Sequence, residues 1–386
     1  MFRFLTAGES HGSCLTVIVD GLPAGLAVTR ERLNLELARR QQGYGRGGRM
    51  AIETDQASVT SGMRHGETLG SPMAITIENR DWKNWVEIMD PFVAHKIENP
   101  KRLHRPRPGH ADLVGSLKYQ RQDLRDILER ASARETAARV AAGGVAKVLL
   151  EQLGIAVGSW VEAIGPAAWN SEKADPVPSA AAAEKSDVRC PDEAAAQAMR
   201  QAIDQAAAEG DTLGGIFTVA AWGLPAGLGS HVQWDRRLDM RIAAAIMSIP
   251  AIKGVEFGLG FEAARLPGSR VHDVIDYREG GYRRETNHAG GLEGGMTTGE
   301  PLLARAAMKP IATLKKPLRS VDVRTKSASE AGYERSDVCA VPAAAVVAEA
   351  MLAIELARAC QEKFGGDTVA EMLAHRQQYL DMIGRA

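Results

Sequence analysis

Aromatic residues are scarce, at 5% of 386 positions, so a run of base-stacking platforms is not a theme of this chain. Surplus charge is missing too. Lys and Arg number 47 against 48 Asp and Glu, leaving a formal net charge of -1. That balance excludes a general nucleic-acid or membrane binder, because long-range attraction to phosphate needs an excess of positive charge. Cysteine is sparse: Cys14, Cys190, Cys339 and Cys360 include no pair close enough for a metal knuckle or redox motif, which fits a reducing cytosol. No apolar run approaches a membrane span, and the start, Met1-Phe2-Arg3-Phe4-Leu5-Thr6, carries no segment like a signal peptide. The expectation is a cytoplasmic protein that meets neither membrane nor nucleic acid. Its 45% hydrophobic and 25% charged residues are the balance of a globular chain with a full core.

The cations are unevenly placed. They gather at Arg39, Arg40, Arg46 and Arg49, and again at Lys101, Arg102, His104, Arg105, Arg107 and His110. A neutral chain with such clusters has built small anion sites rather than a basic face; solvated arginines on an exposed helix and loop are the plainer alternative.

Residues 14–20, CLTVIVD, read as a β-branched strand closed by the turn Gly21-Leu22-Pro23-Ala24-Gly25, with a helix from about Arg30 to Gln41. The grammar returns at 216–222, IFTVAAW, before a second GLPAGL and a helix from about Arg236 to Met247. This points to a repeated strand–turn–helix unit and a pseudo-symmetric single domain spanning 1–386. Ser132 and Glu135 have capping-box spacing for a helix reaching about Leu153, inside which Gly143-Gly144 suggests close packing of a neighbour. Residues 166–191, rich in Pro, Ser, Ala and charge, read as a surface insertion, followed by an alanine-rich helix to Glu209. The last clear element is a helix from about Pro342 to Lys363, stopped by Gly365-Gly366. Strands and helices interleave without regular βα alternation, so the class is α+β.

Gly8-Glu9-Ser10-His11-Gly12 looks at first like a nucleophile elbow, but a strand follows it where that motif needs a helix. Its glycines leave Ser10 and His11 on a tight turn, where imidazole can exchange a proton or simply serve the structure. The run from Arg39 to Arg49 ends a helix in a glycine-rich loop whose forked donors suit a ligand with several anionic groups. Arg105-Pro106-Arg107-Pro108-Gly109-His110-Ala111-Asp112 is stiffened by proline, as acid–base chemistry requires, and its histidines lack zinc spacing, so no metal is expected. Arg130 beside the helix start at Ser132 is a plausible anion site, Lys309-Pro310-Ile311-Ala312-Thr313 adds a cation in a rigid segment, and Asp337 is a helix cap as readily as a functional carboxylate.

Taken together, GESHG, RRQQGYGRGGRM, RPGHAD, RASARETAARVAAG, GGLEGGMTTG, KPIATL and RSDVCAVPAA occur in the order and spacing of one family. The set resembles the chorismate synthases over nearly the whole chain. The resemblance implies a β-α-β sandwich of antiparallel sheets and helices, usually a homotetramer. It implies a 1,4-anti elimination of phosphate from 5-enolpyruvylshikimate 3-phosphate that requires reduced FMN without net redox change. By the same resemblance Arg40, Arg46, Arg49 and Arg335, with Ser10, grip substrate anions, or Arg40 and Arg46 meet the phosphate of NADPH. His11 protonates the departing phosphate, His110 faces the flavin, and Asp337 relays its proton. Arg107, Arg130, Ala131, Ser132, Pro250, Ala251, Gly294, Lys309, Pro310, Ile311, Ala312, Thr313 and Arg335 match flavin-contacting segments. The chain departs from the family pattern at Ala131, Pro250 and Gly48, and by KPIATL for KPIPTL. No G-x-G-x-x-G follows a strand, so dependence on an external flavin reductase is expected. Two other readings stand beside this one: a flavin-independent phosphate lyase or phosphohydrolase using the same cations, and, more remotely, an RNA-binding protein built on the arginine–glycine loop.

Overall fold

The computed structural model describes residues 1–47, 54–92, 101–171, 174–278, 280–334 and 336–384. Arg49, Gly48 and Arg335 lie outside the described residues. The first half holds β1 (Arg3–Ala7), β2 (Cys14–Asp20), α1 (Arg30–Gln41), β3 (Ala57–Ser61), β4 (Met63–Arg64), β5 (Glu67–Thr68), β6 (Met73–Glu78), α2 (Asp112–Tyr119), α3 (Arg125–Ala131) and α4 (Thr136–Gln152). The second holds β7 (Ala156–Ile164), β8 (Ala167–Ala168), α5 (Pro176–Ala183), α6 (Glu193–Glu209), β9 (Gly215–Trp222), α7 (Leu238–Met247), β10 (Ile252–Phe257), β11 (Ile275–Arg278), β12 (Gly281–Arg284), β13 (Leu292–Glu293), β14 (Met296–Thr297), β15 (Leu302–Met308), β16 (Arg319–Val321) and β17 (Ala328–Glu330). Helices α8 (Val341–Phe364) and α9 (Val369–Ile383) close the chain.

Both large sheets are antiparallel, and their orders correspond. One runs β1-β2-β6-β3 and the other β7-β9-β15-β10, with β8 added outside β7. Alternation explains the buried face of the first: Leu15 pairs Ile77, Val17 pairs Ile75 and Val19 pairs Met73, all six buried. Helix α4 packs on β2 and β6, and α8 packs on β7 and β9, so the helices lie between the sheets as a sandwich filling. One cluster of buried apolar side chains runs through both halves.

The repeat is real down to single hydrogen bonds. After β2, the Thr68 hydroxyl donates to the Pro23 carbonyl at 2.6 Å and accepts from the Leu26 amide at 2.9 Å. After β9, Thr297 does the same with Pro225 at 2.7 Å and Leu228 at 2.8 Å. Each GLPAGL turn is thus closed by a threonine from a short hairpin, β4–β5 or β13–β14.

Packing between α4 and α8 is closest at Gly143, where an added Cβ would lie 2.2 Å from the Ala350 Cβ. Helix α1 runs against both. Its start meets the end of α4 through Arg32–Glu151, and its end meets the start of α4 through Arg40–Thr136. It pairs with α8 through Arg39–Glu349, and just beyond its end Gly43 stands beside Pro342. So α4 and α8 are parallel, and both begin where α1 stops.

Several sequence expectations change. Residues 166–191 are not a surface appendage: β8 extends the second sheet, α5 packs on β7, and Val188, Arg189 and Cys190 are buried. Arg189 is drawn inward because its guanidinium binds Ser159 and Glu349. Arg39 is likewise taken from the expected anion cluster into a buried ionic group with Glu36, Glu184, Lys147 and Glu349. Ser132 caps a short 3-10 turn, Ala133–Glu135, by accepting from the Arg134 amide, so the capping box does not form and α4 starts at Thr136. Helix α9 lay beyond the expected last element, and it carries a capping box at Thr368 and Glu371. Among the described residues no helix is long and apolar enough to cross a membrane.

Two measurements test this packing. Gly143→Ala should destabilise the protein by about 1–3 kcal/mol in urea unfolding, because overpacking outweighs the gain in helix propensity. The buried Glu36 and Glu349 resist ionisation by desolvation, yet Lys147 and Arg39 pull both below the usual carboxylate range, Glu36 to about 2. Their contribution is therefore present above the unfolded-state glutamate pKa and lost as pH falls through about 2. Urea midpoints should drop steadily between about pH 4.5 and 2.

Candidate active site

The turn between β1 and β2 carries Ser10 and His11, and its shape is imposed from outside. Asn79, just past β6, donates from Nδ2 to the carbonyls of Glu9 (3.1 Å) and Gly12 (2.8 Å), gripping both ends of the turn. The Ser10 amide donates to the Glu129 carbonyl at 2.9 Å. Glu129, on α3, then meets His11 twice: Oε2 accepts from its backbone amide at 2.8 Å, and Oε1 lies 2.8 Å from Nδ1. An ionised carboxylate only accepts, so Nδ1 carries the proton toward Glu129. Arg125 holds the same carboxylate at 3.0 Å. Burial opposes the charge of Glu129, but hydrogen bonds and charge from His11 and Arg125 hold it below the usual range.

His110 repeats the arrangement. Its Nδ1 lies 2.6 Å from Asp112 Oδ1, while Arg107 donates to Asp112 from Nε at 2.8 Å and from Nη2 at 3.0 Å. Arg107 Nη2 is also 3.0 Å from Nδ1. Two donors cannot bond each other, so both are read as donating to the carboxylate between them. Burial works against ionised Asp112, yet His110 and Arg107 hold its pKa far below the ordinary value. The molecule therefore contains two histidine–carboxylate–arginine triads, His11–Glu129–Arg125 and His110–Asp112–Arg107.

Cations fill the ground beyond the first triad. Arg40 is 5% exposed. It donates to Thr136 Oγ1 at 3.0 Å and to the Ala133 carbonyl at 3.2 Å, and stands 3.4 Å from Asp55. Asp55 is bound more tightly by Arg134, at 2.6 Å. Burial pushes the Arg40 guanidinium down, Asp55 only partly restores it, and the charges of Arg134 and Arg46 lower it again, to about 10. Arg46 reaches Asp337, Nε to Oδ2 at 3.2 Å, while Asp337 Oδ1 accepts from the Gly47 amide at 2.7 Å. The starts of α4 and α8 lie beside this group and add the partial positive charge of their free amides.

These parts are contiguous. Arg134 Nε donates to Asn79 Oδ1 at 2.8 Å, tying the arginine group to the His11 turn. From Asp337, the Val338 carbonyl accepts from Leu213, and neighbouring Thr212 donates to the Ile311 carbonyl at 2.8 Å. Two residues on, Thr313 Oγ1 accepts from Arg107 Nη1 at 2.8 Å, which reaches the second triad. Arg125 also binds Glu334 at 3.0 Å, three residues before Asp337. His11, His110 and Asp337 thus belong to one continuous neighbourhood.

Other candidates fall in different places. Ser132 Oγ donates to Ser10 Oγ at 3.1 Å. Arg130 is exposed, and its guanidinium holds the Thr6 and Gly8 carbonyls. Ala131 ends α3. Ala251, next to Pro250, has φ +70 and accepts from the Lys309 amide at 2.9 Å, joining the 309–313 segment. Gly294 sits in the β13–β14 turn near His231, and no described contact links it to either triad. Lys309 is partly buried and, among the described residues, has no carboxylate partner; burial and then Lys253 lower its pKa. Its Nζ stands 3.6 Å from where a Cβ on Gly109 would be. A cation without a counter-ion, beside a position kept clear of side chain, suits a phosphate-bearing group such as FMN. Asn79, Glu129, Trp85 and Arg134 were not singled out from sequence. Arg134 lies within RASARET and Glu129 immediately precedes it, whereas Asn79 and Trp85 carry no motif of their own.

Oriented imidazoles among buried arginines define the class: an enzyme that moves protons on a strongly anionic small molecule. Residues 2–360 match the family model described as chorismate synthase. The chorismate synthase of Moorella thermoacetica is 60% identical over 387 residues, covering 99% of this chain and 100% of that one. The chorismate synthase of Trichlorobacter lovleyi is 57% identical, covering 98% of each. A solved structure, a crystal structure of chorismate synthase, superposes with a TM-score of 0.81 at 44% identity, covering 100% of this chain and 99% of that one. The chain belongs to the chorismate synthase family, and is a carbon–oxygen lyase.

The clamp on the His11 turn is testable. Asn79→Ala removes the side chain that holds both ends of the turn and leaves Arg134 a donor short of an acceptor. Turnover should fall at least about tenfold, since small misplacement of a catalytic group is severe. A variant with unchanged kcat would show that the turn holds its own shape.

Proposed function

We propose that this chain converts 5-enolpyruvylshikimate 3-phosphate to chorismate by 1,4-anti elimination of phosphate, with reduced FMN bound, acting as one domain. One observation carries the assignment of roles: each imidazole is fixed by its Nδ1 edge on a carboxylate, so that its other nitrogen, Nε2, is the one assigned to proton exchange. Arg40 and Arg46, with Arg49, Arg335 and Ser10, grip the carboxylates and phosphate of the substrate. The charge balance favours this, because Arg40 is buried beside two further guanidiniums and only loosely held by Asp55. His11 then donates a proton from Nε2 to the departing phosphate, while Glu129 stabilises the charged ring. His110 faces the flavin, oriented by Asp112, and Asp337 lies on the route by which the ring proton leaves.

Lys309, Pro310, Ile311, Ala312 and Thr313, with Arg107, Ser132 and Ala251, would hold FMN; Arg130, Ala131, Pro250 and Gly294 are further candidates. When bound, reduced FMN supplies electron density to the substrate ring as phosphate leaves and a place for the departing proton. Arg107 holds Thr313 and Asp112 together, so it is suited to fixing the flavin side of the site rather than to direct substrate binding. Reduction of the flavin falls to a separate NAD(P)H-dependent reductase. We further propose a cytoplasmic homotetramer, following the family resemblance.

An anaerobic assay of chorismate formation tests the central claim. Product should form with chemically reduced FMN, and neither with oxidised FMN nor with NADPH alone. His11→Asn and His110→Asn should each lower kcat by about 10²–10⁴. Full activity in His11→Asn would remove its role as the acid, and turnover without any flavin would favour the flavin-independent lyase.

A further inference from the structure

The two triads are alike at the edge of the imidazole and differ at its face. His11 lies flat on the indole of Trp85, with ring centroids 3.8 Å apart and planes inclined by 25°. Among the described residues no aromatic ring covers His110. Trp85 sits just after the 3-10 turn Arg80–Asn84 and is itself fixed: it is 9% exposed, and its Nε1 donates to the buried Asp81 at 3.0 Å. Lys101 Nζ stands 3.6 Å from the indole centroid, and the Arg125 guanidinium carbon 4.8 Å. With imidazole covering one face at 3.8 Å, the ammonium occupies the other. Trp85 is thus a wall clamped between a cation and the proposed acid.

We propose that Trp85 is a positioning residue for the elimination: it fixes the plane of the His11 ring while Glu129 fixes its edge, so Nε2 keeps a single position. The hydrogen bond at Nδ1 holds the edge of the imidazole, and the flat stack holds its plane. The charged groups around His11 are Glu129 and Arg125 from α3, Lys101 and Asp81 through the indole, and Glu9 in its own turn. The inference rests on His11 acting as the acid.

Four proteins test it: Trp85→Leu, Trp85→Phe, His11→Asn, and the double variant Trp85→Leu/His11→Asn. In the anaerobic assay with reduced FMN, Trp85→Leu should lose about 10- to 100-fold in kcat with little change in KM, as expected when only orientation is lost. Trp85→Phe keeps a flat face and should recover most of that loss. In the His11→Asn background Trp85→Leu should add no further loss, because the two residues act as a unit. A second readout needs neither flavin nor substrate. Imidazole quenches a stacked indole, so the wild-type minus Trp85→Phe fluorescence should be weaker than the same difference measured in the His11→Asn background. Wild-type kcat in Trp85→Leu, an equal loss in the His11→Asn background, or a Trp85 signal blind to His11 would each overturn the proposal. If Trp85→Leu does not fold, the fluorescence arm still decides. Full activity in His11→Asn would instead sink the acid assignment, whereas an inactive His11→Asn with normal Trp85→Leu sinks only the role of Trp85.

Discussion

Where Gly143 meets Ala350, two helices approach too closely for a side chain between them, and this contact sets where α4 and α8 begin. The helices are parallel, so their amide-rich ends open on the same side of the sandwich. Helix α1 runs the other way and delivers Arg40 and the Arg46 loop to that side. The convergence of cations is therefore a consequence of packing inside the core. A residue larger than glycine at 143 would shift both helix starts, and with them Thr136, Ser132 and Asp337.

The repeat supplies a frame and then departs from it. Thr68 and Thr297 close equivalent turns with equivalent hydrogen bonds, and the two sheets share an order. The chemistry lies where the halves differ. Between β1 and β2 the connection is a short glycine turn bearing Ser10 and His11, whereas between β7 and β9 the chain spends residues 165–214 on β8, α5 and α6. After β6 the chain passes through Trp85, the His110 triad and the Arg125 and Glu129 partners of His11 before reaching α4. After β15 it passes through Lys309–Thr313 to Asp337. The first half thus supplies both histidine–carboxylate pairs, and the second supplies the proline-stiffened segment that Arg107 binds through Thr313.

Legibility in the sequence followed how local each signal was. Strand β2 and helix α1 were readable to the residue, because β-branched alternation and a threonine N-cap need only their own neighbours. The duplicated GLPAGL announced the repeat. Residues 166–191 misled because alanine and proline suggest exposure, and nothing local reveals that Arg189 answers Glu349, 160 positions away. Glu349 lies in the apolar first half of α8, and its four ionic and hydroxyl partners come from α1, α4, β7 and the loop before α6. The site divided the same way. His11, His110 and Asp337 stood in motif strings, but Asn79, Glu129 and Trp85 act through distant partners. Resemblance pointed to candidate groups; only the coordinates exposed the side chains that hold them.

What holds them also explains how a neutral protein can serve a polyanion. A positively charged surface would attract phosphate compounds indiscriminately, and screening by salt would weaken it. Here the charge is internal and deliberately under-matched. Asp55 is shared by Arg40 and Arg134, and lies nearer Arg134, so the Arg40 guanidinium is desolvated without full compensation. Such a group is unfavourable while the site lacks an anion and is relieved by one, whereas a fully paired arginine would have to give up its partner first. Lys309, which has no carboxylate partner among the described residues, follows the same logic. Discrimination then rests on geometry, because a ligand must present its anions where these few buried cations lack them. An anion bound at Arg40 would lie beside the Ala133 carbonyl and the neighbouring Ser132, which meets Ser10, one residue from the imidazole that Glu129 and Trp85 contact. The proposed anion and acid groups are joined by the same short stretch of chain.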